Sequence, residues 1–290
     1  MDSITRVVRV YEHGSAHWVG DGFPVRNLIP SSGLDSEIDP FLMLDYAGPA
    51  RFEPETEPRG VGEHPHRGFE TITIAYQGSV EHRDSAGNSG TINPGDVQWM
   101  TAGSGVVHEE KHEREFAKSG GVFEMIQLWV NLPSEHKMTA PRYQTIKDAD
   151  IPRLDLGDNN YARVIAGTIG NLTGPAQTFT PVTLIDVKLS YGKAKLSLPY
   201  GHNMAAFLLK GRVRLNDYMV EGEAKLALLD TTGNTVILNA EADSRLLFFG
   251  GKPIAEPVAS AGPFVMNTEE QLMEAAEDYR AGRMGHLSAR

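Results

Sequence analysis

Gly62-Glu63-His64-Pro65-His66-Arg67-Gly68-Phe69-Glu70 leads directly into Thr71-Ile72-Thr73-Ile74-Ala75-Tyr76, and further on the chain reads Gly103-Ser104-Gly105-Val106-Val107-His108-Glu109-Glu110. Residues 71–76 alternate polar and apolar, the period of a half-buried strand, and are rich in the β-branched types that strands favour. Gln77-Gly78 ends the run, and Val80 to His82 resumes it. Residues 85–90 are dense in turn formers, and Asn93-Pro94-Gly95-Asp96 makes another turn before Val97 to Met100. Short strands parted by closely spaced turns predict an all-β sandwich or barrel.

The same rhythm extends outward. Upstream, Phe41-Leu42-Met43-Leu44 is a candidate buried strand, while 47–50 and 54–58, with their Gly and Pro, read as loop. Downstream, Val122 to Leu132 is a strand, and Leu132 to Pro141 is the best linker. Strands follow at 161–169, 182–190, 205–209, 211–215, 224–229, 234–238 and 244–249. Lys210-Gly211-Arg212-Val213 resembles Gln77-Gly78-Ser79-Val80 in setting, as an apolar strand, a tight Gly turn and a return strand. Two copies of one β unit are therefore expected, with domains at 1–132 and 133–290. Thr268 with Gln271 forms a capping box that opens a helix over 268–281. Leu272, Ala276 and Tyr279 make its apolar stripe, Gly282 and Gly285 stop it, and it is expected to pack onto a sheet.

Composition narrows the function. The chain has 290 residues, 40% of them hydrophobic and 22% charged, as in an ordinary globular protein. No apolar run reaches membrane-spanning length, and the opening Met1 to Val10 lacks the apolar core of a secretory leader. With no cysteine there are no disulfides and no thiolate ligands, which fits a reducing, cytoplasmic setting. The net charge of −11 and scattered Lys and Arg argue against direct nucleic-acid binding.

His64 and His66 leave one face of an extended segment about 6–7 Å apart, and by the same parity His108 and Glu110 share a face. Neutral imidazoles with one carboxylate, free of sulfur, suit one divalent Fe, Ni, Mn, Cu or Zn ion. Taken alone, His64-Pro65-His66 reads as a surface loop; the His108-x-Glu110 after a Gly-x-Gly turn favours a metal site. Glu70 competes for the carboxylate place. A bulge at Gly68 would turn it away, and pairing with Arg67 or Arg83 is its structural alternative. His108-Glu109-Glu110-Lys111-His112 matches the zinc-protease His-Glu-x-x-His, but that motif needs a helix, and Val106-Val107 favour a strand. His82 is a neighbour or a surface residue, and His112, His136, His202 and His286 lack partners at metal spacing. The second half has no His-x-His.

The stretch 64–71, with His82-Arg83-Asp84-Ser85, Gly87-Asn88, Pro94 to Gly103 and Gly105 to His108, resembles the pirin family of the cupin superfamily. Val19 to Phe23, Asp39 to Leu42, Asn131-Leu132-Pro133, Pro141 to Gln144 and Met266 to Arg280 are similar to pirin segments too, so the resemblance spans nearly the whole chain. It implies two tandem cupin (jelly-roll) β-barrels face to face with a C-terminal helix. It also implies one non-haem metal, usually Fe(II), in the N-terminal barrel, held by His64, His66, His108 and Glu110. Glu109 then takes the variable place, and Glu70 is not the family's usual ligand. The implied activity is quercetin 2,3-dioxygenase, with a flavonol and O2 as substrates and Glu110 as general base. Phe69, Trp99 and Met100 are candidate apolar walls. The alternative implied by other family members is an iron- and redox-dependent regulator acting by contact with a protein partner.

Overall fold

The computed structural model describes residues 3–12, 14–29 and 35–288; Met1 and Asp2 of the opening stretch lie outside the described residues. The chain divides into two compact β units. One comprises Ser15–Ile29, Leu42–Asp148 and Ala255–Arg290, the other Met1–Gly14, Pro30–Phe41 and Ala149–Ile254. Among the described residues, no helix is long and apolar enough to cross a membrane.

The first unit is built on a seven-stranded antiparallel sheet and a four-stranded one. The large sheet runs Arg142–Ile146, Val97–Thr101, Phe69–Gln77, Gly121–Asn131, Phe41–Phe52, Phe23–Asn27, Ser15–Val19. The small sheet runs Gly60–His66, Val106–His112, Val80–Asp84, Ser89–Ile92. Apolar side chains of the two sheets, among them Phe23, Val25, Ala75, Val80, Ile92, Phe123 and Met125, close on one another as a core. The alternating run expected at 71–76 is the middle of Phe69–Gln77, which is buried on both faces. Strand Phe41–Phe52 continues through 47–50, where a loop was expected. Its register with Phe23–Asn27 ends at Val25↔Ala47, so Pro49 lies beyond that ladder, where its missing N–H costs no bond there.

The C-terminal helix Glu269–Arg280 belongs to this unit, with the Thr268–Gln271 capping box formed as the sequence predicts. Its buried residues are Leu272 and Ala275, with Ala276 partly buried, whereas Tyr279 is 40% exposed. With Phe264, Met266 and Met284 they pack on Val107, the face of strand Val106–His112 turned away from His108.

The second unit is a nine-stranded antiparallel sheet curled around a single apolar cluster that includes Val187, Leu196, Val236, Leu238 and Phe248. Residues 205–215 form not two strands but one, Asn203–Leu215, paired with Tyr218–Leu229 throughout. Gly211 (φ 119°) bends it without reversing it. Up to Lys210 the strand also pairs with Ser244–Gly251, and from Val213 with Thr235–Ala240. A Cβ at Gly211 would meet Ser244 Oγ at 2.2 Å, so the corner requires glycine.

The units differ from a division at 132/133. Arg142–Ile146 pairs with Val97–Thr101 in the histidine-bearing unit, and Val7–Tyr11 pairs with Tyr218–Leu229 in the other. These pairings join residues remote in sequence, which linker composition does not reveal.

Candidate metal centre

Strand Gly60–His66 lies at the edge of the small sheet, where Pro65 is tolerated because its outer side needs no donor. Antiparallel pairing sets His64 opposite His108 and His66 opposite Val106. The three imidazoles converge, with ring centroids 4.2 Å apart for His64–His108, 4.8 Å for His66–His108 and 4.9 Å for His64–His66. One ring nitrogen from each lies within 4.8 Å of the others, and among the described residues these three form the group able to hold a metal ion. A register shift between His108 and Glu110 adds a residue on the Gly60–His66 side. There the Gly62 carbonyl accepts from His64 Nδ1 at 2.8 Å, which leaves Nε2 as the free lone pair.

His66 and His108 are buried, 4% and 1% exposed. The Pro263 carbonyl lies near enough to His66 to favour its charged form, while among the described residues its Nδ1 and both nitrogens of His108 have no hydrogen-bond partner. A buried polar atom left unpaired costs about 1–3 kcal/mol. A divalent ion would take up these lone pairs, and the all-nitrogen donor set fits such a group. Burial, reinforced by the neighbouring His64, pushes His66 down to about 3, and burial likewise holds His108 well below the usual imidazole range. Both rings are therefore neutral near pH 7, the form that ligates.

Glu110 follows on the same inward face. Its buried carboxylate accepts from Gln127 Nε2 at 3.0 and 3.3 Å and from Thr73 Oγ1 at 3.4 Å. Burial raises its pKa, opposed first by the nearby His64. Glu109 faces the other way and pairs with Arg83 at 2.6 Å and Lys111 at 3.7 Å. Glu70 stands apart from the histidine group. Gly68 (φ 86°) breaks the extended run after His66, and Glu70 accepts from Thr101 Oγ1 at 2.6 Å. It pairs with neither expected arginine, since Arg67 binds Asp278 at 2.6 Å and Arg83 binds Glu109.

The His-Glu-x-x-His segment lies on strand Val106–His112, so its two histidines are not one helical turn apart. His112 Nε2 instead donates to Gly22 O at 3.0 Å amid Phe23, Phe52, Phe116 and Phe123. His82 is buried, stacked on Tyr143 with centroids 4.4 Å apart and hydrogen-bonded to its hydroxyl; burial pushes it down to about 4. Trp99 and Met100 are core, and Phe69 is buried beside His66. Sequence reading missed Trp129, 5.3 Å from His66, and Gln127 on Glu110. Both sit in the apolar strand Gly121–Asn131, where a lone Gln was the available signal.

The Pirin family model matches residues 22–130, and the model of the Pirin C-terminal cupin domain matches 184–285. A Pseudomonas aeruginosa protein named "Putative quercetin 2,3-dioxygenase PA2418" is 52% identical over 280 residues, 96% of this chain and 98% of that protein. The crystal structure of a quercetin 2,3-dioxygenase from Acinetobacter baumannii superposes with a TM-score of 0.95 at 49% identity, covering 99% of this chain and 100% of that one. A "Pirin-like protein" of Solanum lycopersicum is 38% identical, covering 93% and 90%. Fold and site together define a two-cupin protein with a three-histidine group in one cupin barrel. The chain belongs to the pirin family.

Proposed function

We propose that the chain is a quercetin 2,3-dioxygenase-type oxidoreductase, with His64, His66, His108 and Glu110 as the ligands of one divalent non-haem metal, Fe(II) foremost. The observation that carries this reading is the convergence of three buried or half-buried imidazoles whose lone pairs have no protein partner. The named activities of the Pseudomonas and Acinetobacter relatives supply the reaction class. The ion, when bound, supplies Lewis-acid polarisation and a template for a flavonol and O2.

The chain's residues do the rest. Burial keeps Glu110 more basic than an exposed carboxylate, which suits it to accept the flavonol 3-hydroxyl proton. Gln127 and Thr73 hold that carboxylate in place, and the outward Glu109 is occupied by Arg83. Trp129, partly exposed next to His66, offers an aromatic surface to a flat substrate. Ring opening by both atoms of O2 would release carbon monoxide and a depside.

Protein loaded separately with Fe(II), Ni(II), Mn(II) and Cu(II) should bleach the quercetin absorbance under O2 with at least one metal. Absence of turnover with all four would sink the dioxygenase reading. Glu110→Gln should retain a three-nitrogen site while losing most of the turnover, on the order of 10²–10⁴-fold for a lost general base.

A further inference from the structure

Lys137 is 1% exposed and takes no part in the chemistry above. Its ammonium donates to the Gly68 carbonyl at 2.8 Å, to Asn131 Oδ1 at 2.8 Å and to the Val265 carbonyl at 2.9 Å. An ammonium has three N–H donors, so all are used, and each on a neutral oxygen. Burying a charge this way is costly, and an apolar side chain of similar length would fill the same space. What the cation adds is a link between two backbone segments. Gly68 lies two residues beyond His66, and Val265 two beyond Pro263.

Between those anchor points the segments already touch. Arg67 N donates to Pro263 O at 3.3 Å, and Val265 N donates to Arg67 O at 3.0 Å, forming an isolated parallel bridge between Arg67 and Phe264. The approach is close enough that a Cβ on Gly68 would meet Val265 O at 1.9 Å. Two backbone bonds and one bridging ammonium therefore fix the backbone on the residue next to His66, where the Pro263 carbonyl accepts from Arg67 N.

We propose that Lys137 is a positioning residue of the metal centre, pinning the turn after His66 to residues 263–265 and so holding the His66 imidazole in its ligating orientation. Groups packed behind a metal-bound histidine orient it in this way generally. The inference rests on the reading of His64, His66 and His108 as ligands.

The chain has no cysteine, so Lys137→Cys creates one thiol that can be aminoethylated in denaturant, restoring an ammonium at lysine length after refolding. Ni(II) affinity is read by calorimetry, and the ligand field by the Cu(II) electron-paramagnetic-resonance spectrum. Lys137→Met and Lys137→Cys should bind Ni(II) about tenfold or more weakly and shift the Cu(II) hyperfine coupling, and aminoethylation should restore both. Leu272→Ala removes packing from the same C-terminal segment and should lower stability while leaving both readouts unchanged. Folded Lys137→Met with wild-type affinity and spectrum would overturn the proposal, as would an equal loss of affinity in Leu272→Ala. Should the Lys137 variants not fold, Asn131→Ser removes one acceptor and keeps the cation. A loss of about threefold or more then supports the proposal, and unchanged affinity overturns it. A wild-type protein that binds no Ni(II) would instead defeat the ligand reading, which the baseline titration shows by itself.

Discussion

The two barrels fill one strand pair in opposite ways. In one, Gly60–His66 pairs with Val106–His112, and the inward positions hold His64, His66 and His108. In the other, Gly192–Ser197 pairs with Thr235–Ala240, and Ala194, Leu196, Val236 and Leu238 enter the apolar core. The pairs occupy like places. Val106–His112 also bonds Val80–Asp84, which follows Gly78, and Thr235–Ala240 also bonds Val213 to Leu215, which follows Gly211. Both glycines have positive φ, 72° and 119°. The frame is therefore indifferent to what lines it. An apolar lining stabilises by burial; a histidine lining leaves lone pairs unpaired and gains stability only from a bound ion.

The sharpest way to break that comparison is His108→Ala. It should abolish metal retention, an effect larger than the roughly 10–100-fold lost on removing supporting residues around a metal. Metal analysis of the purified variant checks it, and a normal metal content would refute the ligand assignment. Hydrogen exchange adds a spatial reading. Chelation of the wild type should speed exchange in 60–66 and 106–112 and leave 192–197 and 235–240 unchanged.

Next in size is Leu238→Ala, in the apolar barrel. Leu238 is fully buried within the cluster, so the cavity should cost about 2–5 kcal/mol. The loss should be the same with and without metal, as measured by urea unfolding in the presence and absence of chelator. A loss that appears only in the metal-free protein would show that the two linings are energetically coupled.

Much of this contrast is legible in the sequence. The alternation of Thr71 to Tyr76 and the turn chemistry at 85–90 and 93–96 pointed to antiparallel β structure. Strand parity brought His64 and His66 to one face of their strand and His108 and Glu110 to one face of theirs, and the absence of any later His-x-His left the second barrel without a counterpart. What parity could not resolve was where it breaks. Gly68 interrupts the run between His66 and Glu70, and a register shift lies between His108 and Glu110; both depend on partners remote in sequence. The same limit hid the corner at Gly211, read as a turn, and the assignment of Val7–Tyr11 and Arg142–Ile146 to units by pairing. Lys137 left no local signal, since its three acceptors come from three separate segments.

The smallest effect concerns the carboxylates each barrel buries. In the apolar barrel Asp186 is matched by Arg163 at 3.1 Å and Arg245 at 2.7 Å. In the histidine barrel Glu70 has the Thr101 hydroxyl at 2.6 Å, and burial pushes its carboxyl from 4.5 up to about 7. The folded state thus holds the Glu70 proton more tightly than the unfolded chain does. Its contribution to stability is complete below pH 4.5 and is lost as pH rises through about 7. The slope within that window approaches about 1.4 kcal/mol per pH unit. Metal-free wild type should therefore lose roughly 2 kcal/mol between pH 5 and 6.5 relative to Glu70→Gln, which keeps the shape and cannot ionise. Paired urea melts at the two pH values give the difference directly. Parallel pH dependence in the two proteins would mean that Glu70 is ionised throughout, and that the histidine barrel balances this charge as fully as the apolar barrel balances Asp186.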